Sequence, residues 1–448
     1  MRLLTSSFFL CMTTSSVTVV HAYDFIITSK GGFYEAITDV NGTQIGERFQ
    51  NPAINEAGDQ IGTSQGFGYS FAPNSTSDPA NKNRIFFLDD GQIELMDEAI
   101  VVATGSYEKY TGGRISENIA SFGPDYTLEI TLLEPEEVGS IASSTADQTQ
   151  QVYETFKITA EGGFALPFMS PSGEQFGEMF QNPIFVKNNK TGDWEKLKDG
   201  STCQGFGFNF VPEVWLPNDT LVYFTEISPY IGSSFVRNRL FFLPGGELTV
   251  CNEAIVQGTG VYKRYAGGSF RENVTHLHPK YVAEITLQEK EPYDSHLENH
   301  PGVILFFNPN STEAMEKPIL NGSGATIGLR LQHPIENQDG ARVGTMLAYA
   351  FVFPNPAGQT RNGNRQLFMK DGGMTIFNDH IVHATGIYAG YAGGRAPTSL
   401  NKMTLIPPRR RRTADEERHS AGERVLKTPG NVPVIVILVV ALASLIWI

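Results

Sequence analysis

Cysteine, tryptophan and clustered positive charge are all scarce in this chain of 448 residues. It has three cysteines and three tryptophans, and its formal net charge is −14. Nucleic acid is therefore excluded as a partner, because phosphate binding requires a concentrated basic face. The dense basic run at 409–412 is followed closely by acids at 415–417, so we interpret it as part of a solvated tail.

Motifs for metals and cofactors are also missing. His276 and His278 have the spacing of two ligands on one strand, but no cysteine or acidic cluster accompanies them, so we predict no metal site. The segment Gly205-Phe206-Gly207 is not followed by a helical pattern, which argues against a nucleotide-binding loop. We therefore expect no cofactor.

Both ends of the chain carry signals for export and anchoring. Residues 1–22 combine Arg2, an apolar stretch and a small-residue cleavage site, which is typical of a secretory signal peptide. The uncharged segment 432–448 is either a short membrane-spanning helix or the tail of a lipid-anchor signal whose small residues begin at Ser420. We favour the lipid anchor, because no basic segment follows Ile448. Either way, we expect the protein on the extracellular face of a membrane.

Other features agree with secretion. Sequons of the form Asn-x-Ser/Thr, several of which we expect to be glycosylated at the surface, begin at Asn41, Asn74, Asn189, Asn218, Asn273, Asn310 and Asn321. Cys11 leaves with the signal peptide, so Cys203 and Cys251 remain. In an oxidising compartment this pair reads as a disulfide, and the alternative is two separately buried thiols.

A threefold internal repeat dominates the sequence. A strand-like segment beginning with Asn-Arg occurs three times, and each copy is followed at the same distance by Thr-Gly-x-Tyr and then by Gly-Gly. The Asn-Arg segments lie at 83–88, 238–243 and 364–369, and the Thr-Gly-x-Tyr segments lie at 104–107, 259–262 and 385–388. Matches at fixed offsets predict three copies of one structural unit.

These copies divide the chain into modules 1, 2 and 3, at 23–135, 152–290 and 302–407. Polar linkers lie at 136–151 and 291–301, and a polar tail lies at 408–431. Module 2 carries an aromatic insertion at 211–237, which includes Trp215. This insertion is either a loop that fills the groove between modules or a lid over a binding site.

Period-two alternation within the modules predicts short, strongly curved β-strands. At 63–71 and 202–210, aromatic residues alternate with glycine and other small residues, so one face is large and the other nearly bare. Glycines inside a strand permit the curvature that a small closed barrel needs. Module 3 has Ala348 and Ala350 in place of two glycines, so we expect its lumen to be tighter.

The aromatic face predicts a site for a small apolar ligand if it points into the barrel. The side chains expected to line that site are Gln65, Gln204, Phe206, Phe208, Phe210, Trp215, Tyr107 and Tyr262. For the glutamines the alternative is an amide hydrogen bond between strands, because an unpaired buried amide is costly. For the tyrosines the alternative is a place in the barrel core.

The order of these motifs resembles that of the allene oxide cyclase and dirigent protein families. The similarity covers nearly all of each module and is most specific at 253–262, which reads Glu-Ala-Ile-Val-x-Gly-Thr-Gly-x-Tyr. It implies eight-stranded antiparallel barrels with apolar cavities, which pack on one another as a single-chain pseudo-trimer. It also implies mild chemistry, since cyclases hold a fatty-acid epoxide for ring closure and dirigent barrels orient phenoxy radicals.

An isomerase of this kind would need a carboxylate, and two sets of acids are candidates. Asp24 and Glu154 stand on the early strand that carries the acid in the cyclases, and module 3 has no acid there. The second set places one acid at the same position of every module and comprises Glu98, Glu253 and Asp379. Its alternative role is an ion pair with the repeated arginine of the same module, that is Arg84, Arg239 or Arg365.

Three functions stay open from the sequence. The first is a surface-anchored, non-catalytic protein that binds or orients a small apolar molecule. The second is an isomerase of the allene oxide cyclase type. The third is a structural or adhesive glycoprotein of the cell surface or wall, in which side chains fill the barrels. What occupies the barrel lumens therefore separates the third function from the first two.

The anchor can be tested directly. We expect phosphatidylinositol-specific phospholipase to release the protein from intact cells, because small residues, a polar spacer and an apolar tail occur in the order of a lipid-anchor signal. Immunoblotting of the supernatant measures the release. A tag added after Ile448 should be absent from the mature protein, and its retention would contradict the lipid anchor.

Overall fold

Antiparallel β-strands make up nearly all the regular structure of the described residues. The computed structural model describes residues 24–70, 82–121, 126–135, 152–188, 190–197, 201–210, 213–215, 221–223, 234–276, 281–290, 303–353, 360–399 and 401–408. The strands form three large sheets, one per module, and one two-stranded sheet. The prediction of an all-β chain with three tandem barrel units is thus confirmed.

Module 1 is a closed eight-stranded barrel with one additional strand. Its strands are β1 (Phe25–Thr28), β2 (Phe33–Thr38), β3 (Gln44–Ile54), β4 (Gln60–Tyr69), β5 (Lys82–Leu88), β6 (Gly91–Met96), β7 (Ala99–Ala103), β8 (Arg114–Ser121) and β9 (Thr127–Leu133). They pair in the order β1-β9-β8-β7-β6-β5-β4-β3-β2, and β1 also pairs with β3. That pairing closes the ring and leaves β2 outside it.

Module 2 repeats this topology. Its strands are β10 (Thr155–Thr159), β11 (Phe164–Met169), β12 (Gln175–Lys187), β13 (Trp194–Lys196), β14 (Thr202–Phe210), β15 (Glu213–Trp215), β16 (Leu221–Tyr223), β17 (Ser234–Leu243), β18 (Gly246–Cys251), β19 (Ala254–Gly258), β20 (Ser269–His276) and β21 (Val282–Gln288). The order is β10-β21-β20-β19-β18-β17-β14-β12-β11, and β10 pairs with β12 to close the ring. In the aromatic insertion, β15 and β16 form a separate antiparallel pair.

Module 3 has the same order, but its ring is not closed by a full ladder. Its strands are β22 (Ile304–Phe307), β23 (Met315–Leu320), β24 (Thr326–Glu336), β25 (Arg342–Phe353), β26 (Thr360–Met369), β27 (Gly372–Phe377), β28 (His380–Ala384), β29 (Thr398–Ser399) and β30 (Lys402–Thr404). Isolated bridges from His380 to Arg395 and from Arg395 to Ile406 span the gap beside β28. Pro397 stands in this stretch and cannot donate to a ladder, which explains why no long strand forms there.

The Thr-Gly-x-Tyr signature forms a short 3₁₀ helix in each module. These helices span Gly105–Tyr110, Gly260–Tyr265 and Gly386–Tyr391. Their first glycines have positive φ angles of 64°, 55° and 62°. A side chain at Gly105 would also collide with the carbonyl oxygen of Asp90. The signature therefore repeats because this turn accepts no residue other than glycine without strain.

The nearly bare face of the curved strands borders the barrel lumen. A methyl group added to Gly66 in β4 would lie 2.7 Å from the ring of Phe49, and one added to Gly205 in β14 would lie 2.7 Å from the ring of Phe180. The glycines thus make room for side chains that already occupy the lumen. Other buried side chains fill the three barrels, for example Phe86, Phe241 and Leu367.

The aromatic face points the other way, into a core shared by all three modules. The buried members of this central core are Ile37, Ile45, Phe67, Tyr69, Phe168, Phe176, Met179, Phe206, Phe208, Phe210, Ile319, Ile327, Leu347, Tyr349, Phe351 and Phe353. Ring centroids lie 4.1 Å apart between Phe67 and Phe351, and 4.8 Å apart between Tyr69 and Phe206. The expectation that this face lines a barrel lumen is therefore wrong.

A chain of buried asparagines joins the modules beside the central core. Asn83, Asn238 and Asn364 occupy the same position in the three modules, and all are fully buried. Asn238 Nδ2 donates to Asn83 Oδ1 at 2.9 Å, and Asn364 Nδ2 donates to Asn238 Oδ1 at 2.6 Å. Asn364 Nδ2 also donates to the Tyr349 hydroxyl at 2.9 Å. Because buried amides are costly unless they are bonded, these contacts favour one register between the modules.

Two arginines bind the main chain of a neighbouring module. Arg48 of module 1 donates to the carbonyl oxygen of Val352 in module 3. Arg330, at the same position of module 3, donates to the carbonyl oxygen of Asn209 in module 2 at 3.0 Å. Module 2 has Met179 there instead, and that side chain lies in the central core. The modules therefore pack on one another as a single-chain pseudo-trimer.

Truncation of one central-core ring tests this architecture. The substitution Phe206→Ala is expected to lower the free energy of unfolding by about 3–5 kcal/mol, because it removes a fully buried ring that contacts Phe67 and Tyr349. The matched control is Phe368→Ala, whose ring is 44 % exposed and for which we expect a change within about 0.5 kcal/mol. Denaturant titration of the purified protein measures both, and equal losses would contradict a shared core.

Candidate functional site

The residues predicted to contact an apolar ligand lie in packed interfaces. Gln65 is 2 % exposed, and its Nε2 donates to Gln50 Oε1 at 3.1 Å. This contact is the hydrogen bond between side-chain amides of neighbouring strands that was the alternative to ligand binding. Gln204 is half-buried on the same face of β14. The phenylalanines of that face that lie in the central core are Phe206, Phe208 and Phe210. Trp215 ends β15, and its side chain lies outside the described part of the structure.

The predicted tyrosines belong to the barrel cores. Tyr107 is half-buried and packs against the core of module 1. Tyr262 is fully buried, and its hydroxyl accepts a hydrogen bond from the main-chain N–H of Tyr153 at 3.3 Å. Burial raises the pKa of Tyr262 to about 12, so this hydroxyl stays protonated. The sequence left two positions open for each tyrosine, the ligand cavity or the barrel core, and the structure shows the core.

The acids on the early strands lie outside the lumens. Asp24 is exposed, and its Oδ2 accepts a hydrogen bond from the main-chain N–H of Leu132 at 2.6 Å. Glu154 is exposed and pairs with Arg264. Both carboxylates thus sit at the start of the first strand of their module and face solvent or the main chain. Their exposure argues against a role as catalytic acids in a dry lumen.

The acids repeated in all three modules differ in their partners. Asp379 Oδ1 lies 3.2 Å from Nη1 of the repeated Arg365, which is the predicted ion pair. Glu98 instead accepts from Arg114 Nε at 2.7 Å. Glu253 is exposed in the turn between β18 and β19. All three occupy turns at the surface, where an ion pair contributes little.

The repeated arginines of modules 1 and 2 pair with acids that the sequence analysis missed. Arg84 pairs with Glu117 on β8, and Arg239 Nη2 lies 3.0 Å from Glu272 Oε2 on β20. Each acid follows its arginine by 33 residues, so the fixed spacing of the repeat was a signal that would have found both. Module 3 has Thr398 at that position, and its hydroxyl accepts from Arg365 at 3.0 Å.

Glu272 on β20 is a carboxylate that two arginines of module 2 hold in the ionised form. Burial acts to raise its pKa, but Arg237 and Arg239 outweigh burial and hold the pKa well below the usual range. The Tyr281 hydroxyl donates to the same carboxylate, and the Arg239 guanidinium lies 4.5 Å from the ring of Phe270. A carboxylate that is bonded to two arginines and a tyrosine hydroxyl is suited to a structural role rather than to transferring a proton.

Cys203 and Cys251 are free thiols in different environments, so the disulfide prediction is wrong. Cys203 points into the lumen of module 2 and packs in its core. Cys251 lies where the three modules meet and packs against Met96 and Phe377, which occupy the same position in modules 1 and 3. Alternation along β14 directs Cys203 into the core of module 2. Cys251 lies at a repeat position whose side chains meet between the modules, so the two thiols lie in separate cores.

The sequons differ in accessibility. Asn41, Asn273 and Asn310 are exposed, as a glycan requires. Asn321 is 7 % exposed, and its Nδ2 donates to Glu35 Oε1 at 3.2 Å across the junction of modules 3 and 1. The expectation of a surface glycan at Asn321 is therefore wrong for this packing. The sequons beginning at Asn74, Asn189 and Asn218 lie outside the described residues, as does Ser420.

A cleft of about 250 Å³ lies between modules 1 and 2, and it is the candidate site that the structure presents. Module 1 lines it with Lys82, Arg84, Asp97, Glu98, Ala99, Arg114 and Glu117, and module 2 lines it with Leu240, Phe242, Glu247, Thr249 and Gln257. Gln257 Nε2 donates to the carbonyl oxygen of Gly113 at 2.7 Å and thereby joins the two modules beside the cleft. A space of only about 10 Å³ lies at the end of the central core. Sequence reasoning missed the cleft because no single module contains it.

Within the described ranges, no group of three or more His, Cys, Asp or Glu side chains is placed to hold a metal ion. None of the helices in the described part of the chain has the length and apolarity to cross a bilayer.

Comparison with known proteins gives no assignment. No protein-family model, curated protein sequence or solved structure matches this chain. The resemblance to allene oxide cyclases and dirigent proteins therefore rests on the sequence motifs and stays a prediction.

The state of the cysteines can be measured by alkylation. Burial raises the pKa of Cys203 to about 12 and also raises the pKa of Cys251, so neither thiol forms the reactive thiolate at neutral pH. We expect iodoacetamide to label neither cysteine in native buffer and to label both in guanidinium without reductant. Peptide mass mapping reads the result, and a peptide linked through Cys203 and Cys251 would overturn it.

Proposed function

We propose that this chain is a structural protein of the cell surface, in which three fused barrels form one rigid unit. The observation that supports this proposal is that packing uses both faces of the curved strands. Side chains fill the lumens, and the aromatic faces are buried in the central core. A barrel that holds an apolar ligand needs one of these faces to border a cavity of ligand size.

The isomerase alternative has less support from the positions of the acids. Such an enzyme would need a carboxylate directed at a substrate in a dry lumen. Asp24 and Glu154 lie at exposed strand starts, and Glu98 and Asp379 lie in surface turns with side chains 45 % and 43 % exposed. The buried Glu272 is held by two arginines.

The proposed location follows from the chain ends and the sequons. A signal peptide at 1–22 would export the chain, and the segment 432–448 would attach it to the membrane. Exposed sequons at Asn41, Asn273 and Asn310 suit an extracellular glycoprotein.

Native mass spectrometry of the purified protein tests this proposal. We expect the mass of the chain with its glycans and no retained small molecule, because the lumens are filled by side chains. We also expect no saturable binding of a fluorescent fatty-acid analogue, and one cooperative unfolding transition for all three modules. An apolar molecule retained at one copy per chain, or saturable binding of the analogue, would favour the ligand-binding alternative instead.

A further inference from the structure

The cleft between modules 1 and 2 lies beside the junction of two strands of module 1. Strands β7 and β8 pair at Ala99 and Arg114, and main-chain hydrogen bonds continue on both sides of this pair, from Ile115 N–H to Glu98 at 2.8 Å and from Ile100 N–H to Gly113 at 3.0 Å. Strands β17 and β18 of module 2 lie opposite this junction and leave about 250 Å³ between the modules. Pockets for drug-sized ligands span about 300–1,000 Å³, so this volume suits a small ligand.

One repeat position that borders the cleft differs between modules 1 and 2. Thr249 of module 2 borders the cleft, and module 1 has Glu94 at the same position. Glu94 is 2 % exposed and reaches into module 3, where Asn378 Nδ2 donates to its Oε2 at 3.0 Å and His380 Nδ1 lies 3.2 Å from its Oε1. The long Glu94 side chain thus occupies the junction of modules 3 and 1, whereas the shorter Thr249 lines the cleft between modules 1 and 2. Module 3 has a buried threonine, Thr375, at the same position.

Fixed charges form the floor of the cleft. Arg84 and Glu117 pair there, with side chains 5 % and 12 % exposed. Lys82 is buried beside them, and its main-chain N–H donates to Asp97 Oδ1 at 2.8 Å. Because the barrel itself holds these groups, their hydrogen-bonding atoms keep their positions without a ligand. Such preorganisation lowers the free-energy cost of binding.

An apolar wall and an exchangeable rim complete the cleft. Leu240 and Phe242 of β17 supply the apolar wall. At the rim, Arg114 bonds Glu98 and lies 3.8 Å from Glu247, and all three side chains are at least 31 % exposed. Ion pairs with this exposure are weak, so hydroxyl groups of a ligand can replace them at little cost.

This lining suits a neutral ligand that has many hydroxyl groups and one apolar face. Three cations and four carboxylates line the cleft, so a strongly charged ligand would meet charges of its own sign whether it is anionic or cationic. An apolar ligand would cover the charged floor without bonding to it, which is costly. Sugar hydroxyls both donate and accept, and the C–H face of a sugar ring can pack against Phe242. We infer that the cleft between modules 1 and 2 binds a neutral saccharide unit.

Two substitutions test this inference in the purified full-length protein. Thr249→Glu introduces the side chain that module 1 has at this position, and Phe242→Ala removes the aromatic part of the apolar wall. The matched control is Phe368→Ala, at the same position of module 3 and outside the cleft. Binding is screened on an array of immobilised neutral, amino and uronic saccharides, and the dissociation constant of a bound neutral sugar is then measured by calorimetry.

We expect neutral saccharides to bind, both cleft variants to bind at least about tenfold more weakly, and the control to stay within about twofold. Thermal unfolding of each variant verifies that it is folded. If Thr249→Glu does not fold, Phe242→Ala still tests the inference. Absence of saccharide binding, binding of uronic saccharides alone, or binding that neither variant weakens would overturn the inference. The proposed structural function stands or falls separately, since it depends on what the barrel lumens retain in native mass spectrometry.

Discussion

Burial of aromatic strand faces between the modules is the interaction on which the remaining structure depends. Module 3 alone contributes Leu347, Tyr349, Phe351 and Phe353 from one strand, all at most 2 % exposed. Burying each such side chain contributes about 1.5–3 kcal/mol, and a whole domain is stable by only about 5–15 kcal/mol. An isolated module would leave these rings in water, so the barrels are stable as a set of three rather than singly.

The direction of that face also determines what the barrels can hold. The large side chains of β4 and β14 point outward, and the lumen side of these strands carries Gly66 and Gly205. These glycines leave room for the rings of Phe49 and Phe180 on the neighbouring strands. The buried pairs Arg84 with Glu117 and Arg239 with Glu272 join β5 to β8 and β17 to β20 within their barrels. Filled lumens and a shared core together favour a structural role over binding inside a barrel.

Fusion of three modules into one chain permits junctions that differ. In a trimer of identical chains every junction has the same side chains, whereas here each repeat position can vary independently. Glu94 reaches across one junction, and Thr249 at the same position lines the cleft at another. Arg48 and Arg330 bind main-chain carbonyl oxygens across their junctions, and Met179 packs in the central core instead. The candidate site lies at one of these unequal junctions.

Much of the fold could be predicted from local pattern, because the information is local. Alternation at 202–210 predicted a strand, and fixed spacing between the repeated motifs predicted three modules. The glycine of Thr-Gly-x-Tyr indicated a turn. The alternation did not show which face points inward, since both faces are buried and a period of two distinguishes faces without orienting them. Burial of Asn321, separation of the two thiols and the cleft beside Thr249 depend on contacts between modules. Tertiary structure alone decided these features, because the groups that form them lie far apart in the chain.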